Sequence, residues 1–485
     1  MLAATKMRLN MVLAASAGLA LRIFFVLKFP VTDSGDAPFY IELAWNWLKN
    51  HVYGFPVHGV LTAVDMRTPG YPAFLAAIFA FSGRAAKPVM IAQAVLDVAT
   101  CFLIALIAAQ LAPAGSRPRV FLAALWLGVL CPFTANYAAV VLTETLTTFL
   151  TALAILVLIE TEIGVGMDCV SQHFLGNDWF LAGIVVGFGT LVRPETPLLL
   201  LAAGLVLLAK WFRPRDAMKL VRAGALMGLG LLLPLLPWAA RNWSAFDEVR
   251  FLAPRYSELP GEYTPHGFID WTNTWLWRFR DVYLTHWKLN EEEISIDDIP
   301  RSAFDSPEER ARVAELLDQY NESLTIDPAL DGQFREIARE RTAQHPLRTY
   351  LKIPFLRCLT LWFTPRVELL PISGHLTPVR EEWEDDRPDF LATLALVAIN
   401  CVYIALALGS LPMVWRRPGF AFLLVFIVVR TLFFAYAVET TEPRYMLECF
   451  PALISIAAQF FASRFSFLPP VRGGWSRGKF AETAP

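Results

Sequence analysis

Long apolar runs separated by short polar links dominate the chain. Crossing a bilayer's hydrocarbon core takes about 20 apolar residues in one helix, within a range of about 17–25. No water is available there to satisfy open backbone groups, so such runs are obliged to be helical. Runs of that length, or nearly so, lie at 9–29, 87–111, 119–138, 141–161, 178–193, 195–210, 222–240, 388–411, 419–438 and 445–463. Composition agrees, since 55% of the 485 residues are hydrophobic and 18% are charged, where a soluble domain carries about 25% charge. The chain therefore reads as an all-α polytopic membrane protein with about ten crossings, within a range of about 9–13. The first run is too long for a signal peptide and reads as a retained anchor, with Lys6 and Arg8 on its inner side. A net charge of −2 offers no case for nucleic acid as a partner. Six scattered cysteines without a CxxC pair indicate neither a zinc site nor a disulfide framework.

Charge sets the topology. Short loops rich in Lys and Arg stay in the cytoplasm, and the densest one holds Lys210, Arg213, Arg215, Lys219 and Arg222. Arg117 with Arg119 and Arg416 with Arg417 mark two more. All three loops and the N-terminus fall inside if 70–83 lies along the outer interface and 351–365 is a membrane-surface helix. Both termini are then cytoplasmic. The expected organisation is a transmembrane module over 1–240 with a first outer loop at 30–86, an outer domain over 241–387, closing transmembrane helices over 388–468, and a disordered tail at 469–485. An amphipathic helix is expected over 37–50, with Ala37, Ile41, Ala44, Trp45 and Leu48 on its apolar face. Another is expected over 307–324, opened by Ser306-Pro307-Glu308-Glu309 in capping order. In the outer domain acids outnumber basic residues, and Tyr263, Trp271, Trp275 and Trp277 are candidates for an aromatic surface.

Ionisable groups at membrane depth cost about 2.5–3.5 kcal/mol each on insertion, so each is a functional candidate. Asp33, Asp36 and Arg67 lie in the first outer segment, Glu144 opens the fourth crossing, and Arg193 ends the fifth. Arg241 ends the seventh, and Glu439, Glu442 and Arg444 join the ninth to the tenth. Under this topology they share one side and one depth, whereas ordinary helix-end charges would scatter over both faces. Arginine forks grip phosphate; a carboxylate beside them serves a proton, a metal or a sugar hydroxyl. Plainer roles compete: helix capping for Asp33 and Asp36, an interfacial or N-cap-region charge for Glu144, snorkelling at the interface for Arg67, helix-end anchoring for Arg193 and Arg241, a local salt bridge for Arg444 with Glu439, Glu442 or Glu448, and snorkelling or a structural pairing for Arg22.

The run Asp36-Ala-Pro-Phe-Tyr40-Ile-Glu-Leu-Ala44, followed by Arg67-Thr-Pro-Gly-Tyr71-Pro72, resembles the first outer loop of GT-C glycosyltransferases. The nearest branch is that of the protein O-mannosyltransferases and the aminoarabinose transferases of lipid A. Thr143-Glu144, Leu191-Val-Arg193-Pro194, Pro237-Trp238-Ala-Ala-Arg241-Asn242 and Glu442-Pro443-Arg444-Tyr445 continue the resemblance in the same order. It implies a GT-C-like bundle that transfers a sugar from a polyprenyl-phosphate carrier to an outer glycan, lipid or protein acceptor, in a bacterial inner membrane. Carried onto these positions, Asp36, seconded by Asp33, is the catalytic acid. Glu144 and Tyr40 orient acceptor or sugar, and Arg67, Arg193, Arg241 and Arg444 bind the carrier phosphate. No cofactor is required, although a divalent metal is compatible with Glu144 and the aspartates, or with Asp65 and His58. A lipid or sugar transporter and a non-catalytic envelope assembly protein are the competing readings. Against the transporter stand the lack of an internal repeat and the position of the charges away from the midplane.

Overall fold

Each apolar run is helical over most of its length. A computed structural model describes residues 2–32, 35–57, 59–163, 178–210, 217–256, 263–376 and 379–464. Asp33, His58, Arg213, Arg215 and the 469–485 tail lie outside the described residues.

The chain opens with α1 (Leu2–Lys28), then α2 (Ala37–Asn50), a two-stranded antiparallel hairpin of β1 (Gly54–Val57) and β2 (Val60–Ala63), and α3 (Gly70–Ser82). The bundle continues with α4 (Ala86–Leu111), α5 (Arg117–Val129), the short α6 (Pro132–Ala135), α7 (Glu144–Ile163), α8 (Asp178–Val192), α9 (Leu198–Lys210) and α10 (Ala217–Phe246). Outside it lie α11 (His266–Asn273), α12 (Phe279–Thr285), α13 (Pro307–Ser323) and α14 (Pro328–Gln344), followed by α15 (Ile353–Phe363) and α16 (Val379–Asp385). The chain returns through α17 (Arg387–Val414), α18 (Phe420–Tyr436), a 3₁₀ turn over Pro443–Cys449 and α19 (Phe450–Ala457).

Among the described residues five helices, α1, α4, α7, α10 and α17, are long and apolar enough to cross a bilayer unaided. The 119–138 run is a pair bent by 50° at the Leu130–Cys131 break, where Pro132 starts a new turn because it has no N–H to continue the old one. The runs at 178–193, 195–210 and 419–438 are shorter than expected, with helices of 15, 13 and 17 residues. At about 1.5 Å per residue these fall short of a hydrocarbon core of about 30 Å. The 445–463 run is a chain of 3₁₀ and α pieces. The ten runs are therefore unequal. The architecture is that of an all-α polytopic membrane protein.

Small residues decide how closely the bundle packs. A methyl group on Gly183 would sit 2.3 Å from the Met227 carbonyl, and one on Gly230 would sit 2.3 Å from the Phe180 carbonyl. The backbones of α8 and α10 touch only because neither residue has a side chain. Gly70 does the same at the start of α3, where a methyl group would meet the Leu191 carbonyl at 2.5 Å. That contact pins the Arg67–Gly70 turn to the end of α8. Deeper in the bundle, Arg22 is fully buried: its Nε donates to Asp97 Oδ2 at 2.8 Å and its Nη1 to the Val129 carbonyl at 2.7 Å. The pair joins α1, α4 and α5, which is the structural role the sequence allowed for Arg22.

Two expectations change in detail. The fully buried face of α2 is Ala37, Tyr40, Leu43, Ala44 and Asn46, while Ile41, Trp45 and Leu48 are half-buried. The helix is turned toward the bundle by its Tyr40 edge. In the outer domain Trp271 and Trp275 form the centre of a separate core with Phe268, Val313, Tyr320 and Phe334. They are not a sugar-stacking or membrane-docking surface, because a helical domain this small needs its largest apolar side chains inside. Ser306 caps α13 as expected, its Oγ accepting from Glu309 N at 3.1 Å.

Candidate active site

Asp36 occupies the capping position of α2, yet its side chain accepts no bond from the helix. Arg67 Nη2 donates to its Oδ1 instead, at 2.7 Å. Capping is therefore not what holds this carboxylate. Tyr53 fixes the backbone of its partner, its hydroxyl donating to the Arg67 carbonyl at 2.8 Å. One turn into α2, Tyr40 is buried with its ring edge-on to Tyr71, centroids 5.1 Å apart. The Tyr71 hydroxyl donates to Gln93 of α4 at 2.7 Å, and Gln93 in turn donates to the Val140 carbonyl at 2.7 Å. Val31 N also donates to the Ala139 carbonyl at 2.9 Å. These bonds set the first outer segment against the turn that precedes Glu144.

Glu144 is 2% exposed. Its Oε1 lies 3.6 Å from Arg193 and 3.8 Å from Arg444, while its Oε2 has no hydrogen-bond partner. Arg193 leaves α8 and reaches Glu195 at 3.0 Å and Glu448 at 3.1 Å, with its guanidinium over the Tyr445 ring. Arg444 reaches Glu442 at 2.5 Å and flanks the same ring. Arg430, buried in the middle of α18, closes the set against Glu448 and, at 3.5 Å, Glu195. Charges from six separated stretches of chain thus meet at one end of the bundle. The most open members are Asp36 and Arg67, with side chains 32% and 24% exposed, against 12% for Arg193.

Burial alone would raise the Asp36 carboxyl, but Arg67 first, then Arg444 and Arg193, outweigh it and hold the group below its usual 3.8. Asp36 is thus coupled electrostatically to all three arginines, most strongly to Arg67. Glu368, reached after α15, shows the opposite balance: burial raises it despite Arg366, and neither carboxylate oxygen has a partner. Arg444 lowers it and Glu442 raises it through electrostatic coupling.

Arg241 is placed differently from the expectation. Its guanidinium donates to the Tyr53 carbonyl at 2.8 Å and the Val64 carbonyl at 2.9 Å, and stacks over Trp238 and Phe246. It braces the hairpin behind Arg67 and is spent on carbonyls and aromatic faces. Asp65 is likewise engaged, by Arg250 at 2.6 Å. Among the described residues no three His, Cys, Asp or Glu side chains lie close enough to hold an ion; Asp33 and His58 lie outside those residues.

Sequence reasoning missed Glu195, Arg430 and Glu368. Arg430 carried a signal, being the only charge between Arg417 and Glu439, where a lone ionisable group in an apolar helix marks a partnered site. Glu195 and Glu368 sit in polar turns like many others, and nothing in their local sequence separates them.

Residues 66–238 match the family described as dolichyl-phosphate-mannose-protein mannosyltransferase. This stretch carries Arg67, Glu144 and Arg193, and it falls on the family branch that the motifs resemble. No curated protein sequence matches. Among solved structures the chain is similar to the archaeal oligosaccharyltransferase AglB from Archaeoglobus fulgidus in complex with an inhibitory peptide and a dolichol-phosphate. That comparison has 13% identity, 94% of this chain and 50% of that one covered, and a TM-score of 0.49. The same oligosaccharyltransferase tethered to an acceptor peptide gives 15% identity, 94% and 49% coverage, and a TM-score of 0.49. The chain spans about half the length of these proteins.

Proposed function

We propose that this chain is an integral membrane glycosyltransferase that moves a sugar from a polyprenyl-phosphate carrier to an acceptor at the extracytoplasmic face of a bacterial inner membrane. The observation that carries the reading is the Asp36–Arg67 ion pair, coupled electrostatically to Arg193 and Arg444, which both approach Glu144. The family match over 66–238 supports it. A membrane-embedded donor has its phosphate at the depth of helix ends, and this cluster lies at such ends.

The chemistry follows from the groups present. The acceptor's hydroxyl oxygen attacks the sugar C1, the C1–O bond to phosphate breaks, and its electron pair leaves on the carrier phosphate. The hydroxyl proton goes to Asp36, a carboxylate within reach of the open mouth. The phosphate gains negative charge as it leaves, so it needs cations more than a proton, and Arg67 with Arg444 and Arg193 supplies them. In the resting site Arg67 is bound to Asp36. A phosphate that draws Arg67 to itself removes the main charge holding the carboxyl acidic, and Asp36 becomes a better base when the donor is in place. The free Oε2 of Glu144 and both oxygens of Glu368 are left to accept from sugar or acceptor hydroxyls.

Asp36→Asn keeps size and removes the base. Membranes bearing this variant, offered a panel of polyprenyl-phosphate sugars, are expected to lose transfer by about 10²–10⁴-fold, with the tryptophan fluorescence of the outer domain unchanged. Transfer within threefold of the parent protein would sink the assignment.

A further inference from the structure

A second polar site lies away from the cluster, at the seam between the outer domain and the bundle. There α11 and α14 stand over the tops of α15 and α18 and enclose a cavity of about 550 Å³. Its charged lining is Arg335, Arg339 and Arg357 against Asp270 alone. Arg335 is tied to Asp331 at 2.8 Å. Arg357 is buried and spends its donors on neutral acceptors, the Leu276 carbonyl at 2.9 Å, Asn273 Oδ1 at 2.9 Å and the Val438 carbonyl at 3.1 Å. Arg339 is exposed and makes no hydrogen bond or ion pair among the described residues. The cavity lining thus holds three arginines and one aspartate; among the described residues only Arg335 of the three is ion-paired, while Asp270 is coupled to Arg335 and Arg339, and Glu439 to Arg357.

Beside the cavity, the helical stretch that leads into and through α15 shows a row of exposed apolar side chains at every fourth position. Leu347, Leu351, Phe355, Leu359 and Phe363 are 71%, 57%, 62%, 39% and 51% exposed. Residues four apart share one face of a helix. Tyr350 and Tyr436, which line the cavity, are also exposed, as aromatic side chains are at a lipid–water boundary. An arginine-rich pocket joined to an apolar strip has the shape of an amphiphile.

We propose that this cavity binds the phosphate-bearing head group of a lipid whose chains lie along the Leu347–Phe363 strip. Arg335 and Arg339, one turn apart on α14, grip the phosphate from above, and Arg357 supplies charge from the floor. The site is separate from the Asp36 centre, and its occupancy is read by binding alone, so it stands or falls independently of the transfer reading.

The test uses the full chain in neutral detergent and native mass spectrometry with three probes: dihexanoyl phosphatidate, inorganic phosphate and dihexanoylglycerol. Saturable binding of the phosphatidate is expected, tighter than either other probe, and weakened at least about tenfold in Arg335→Gln/Arg339→Gln. Arg339→Gln alone, which breaks no bond within the protein, is expected to weaken it in the same direction. Leu351→Ser/Phe355→Ser is expected to erase the preference for phosphatidate over inorganic phosphate. Inorganic phosphate binding as tightly as phosphatidate would make this a free-anion site and overturn the proposal. So would equal binding of dihexanoylglycerol, or phosphatidate binding within twofold of the parent in the double arginine variant.

Discussion

Two arginines of this chain, both wholly buried, show how the same residue type serves different ends. Arg22 has one carboxylate partner and several carbonyls, and every donor is used within the bundle. Removing one member of such a pair leaves an unpaired buried charge, a change that costs about 3–5 kcal/mol. Arg22→Met is therefore expected to destabilise the protein by that amount in denaturant titration, and Arg22→Met/Asp97→Leu is expected to recover most of it. If the double variant proves no more stable than the single one, the pair is not an isolated structural unit. Arg430 instead shares Glu448 and Glu195 with Arg193, so it belongs to a network whose far end is open. Asp36 also has a clear sign with pH. Its folded value is depressed, so the Asp36–Arg67 attraction is complete at neutral pH and is lost only as pH falls through that depressed value.

At the level of elements, the helical unit from α11 to α14 has a core of its own and one buried imidazole. His286, at the end of α12, accepts or donates a hydrogen bond with Thr272 at 2.8 Å. Burial first, and then Arg357, pull its pKa from 6.5 down to about 4. The fold therefore prefers the neutral ring. The unfolded chain binds the proton first, so this contribution is whole above about pH 6.5 and drains away as pH falls toward 4, by at most about 3 kcal/mol. Denaturation followed by tryptophan fluorescence at pH 7.5 and pH 4.5 measures it. His286→Gln, which retains a partner for Thr272, is expected to flatten the dependence in that window. An undiminished slope in the variant would assign the effect to other groups. The α10 helix illustrates a second element-scale point. It carries Pro234 and Pro237 inside it and continues to Phe246, which brings Arg241 up to the hairpin behind Arg67.

For the molecule as a whole, the decisive quantity is sidedness. Contacts from Asp36 to Arg67, from Arg193 to Glu144 and from Arg444 to Glu442 lie at one end of the bundle. The basic loops at 117–119, 210–222 and 416–417 are expected at the other, in the cytoplasm. Cysteine accessibility in intact cells tests this directly. Single cysteines placed at Gly59, in the first outer loop, and at Glu291, in the outer domain, are expected to react with a membrane-impermeant maleimide. One placed at Arg417 is expected to react only after permeabilisation. Labelling of Gly59→Cys and Glu291→Cys from opposite sides would break the topology and, with it, the outer site.

Much of the architecture was readable because apolar runs and helix-stop residues are local signals. The helical character of the apolar runs and the α2 and α13 starts follow from spacing that each segment carries by itself, whereas the unequal helix lengths do not. The motifs around Asp36, Arg67, Glu144 and Arg444 were readable too, since a charge next to a membrane span is conspicuous against an apolar background. Partnership was not readable. Whether Arg241 meets a phosphate or two carbonyls, whether Trp271 faces a sugar or a core, and whether Glu195 joins the cluster depend on contacts between segments tens to hundreds of residues apart. Those are set by how closely helices pack, and here Gly70, Gly183 and Gly230 allow backbone approaches that any added methyl group would block. Hydrophobic pattern determined what enters the membrane, because the cost of burying polar groups acts on each segment separately. Tertiary packing alone decided which charges are neutralised and which are left for a ligand, because electrostatic pairing falls off within a few ångströms and cannot be expressed by a chain that has not yet folded.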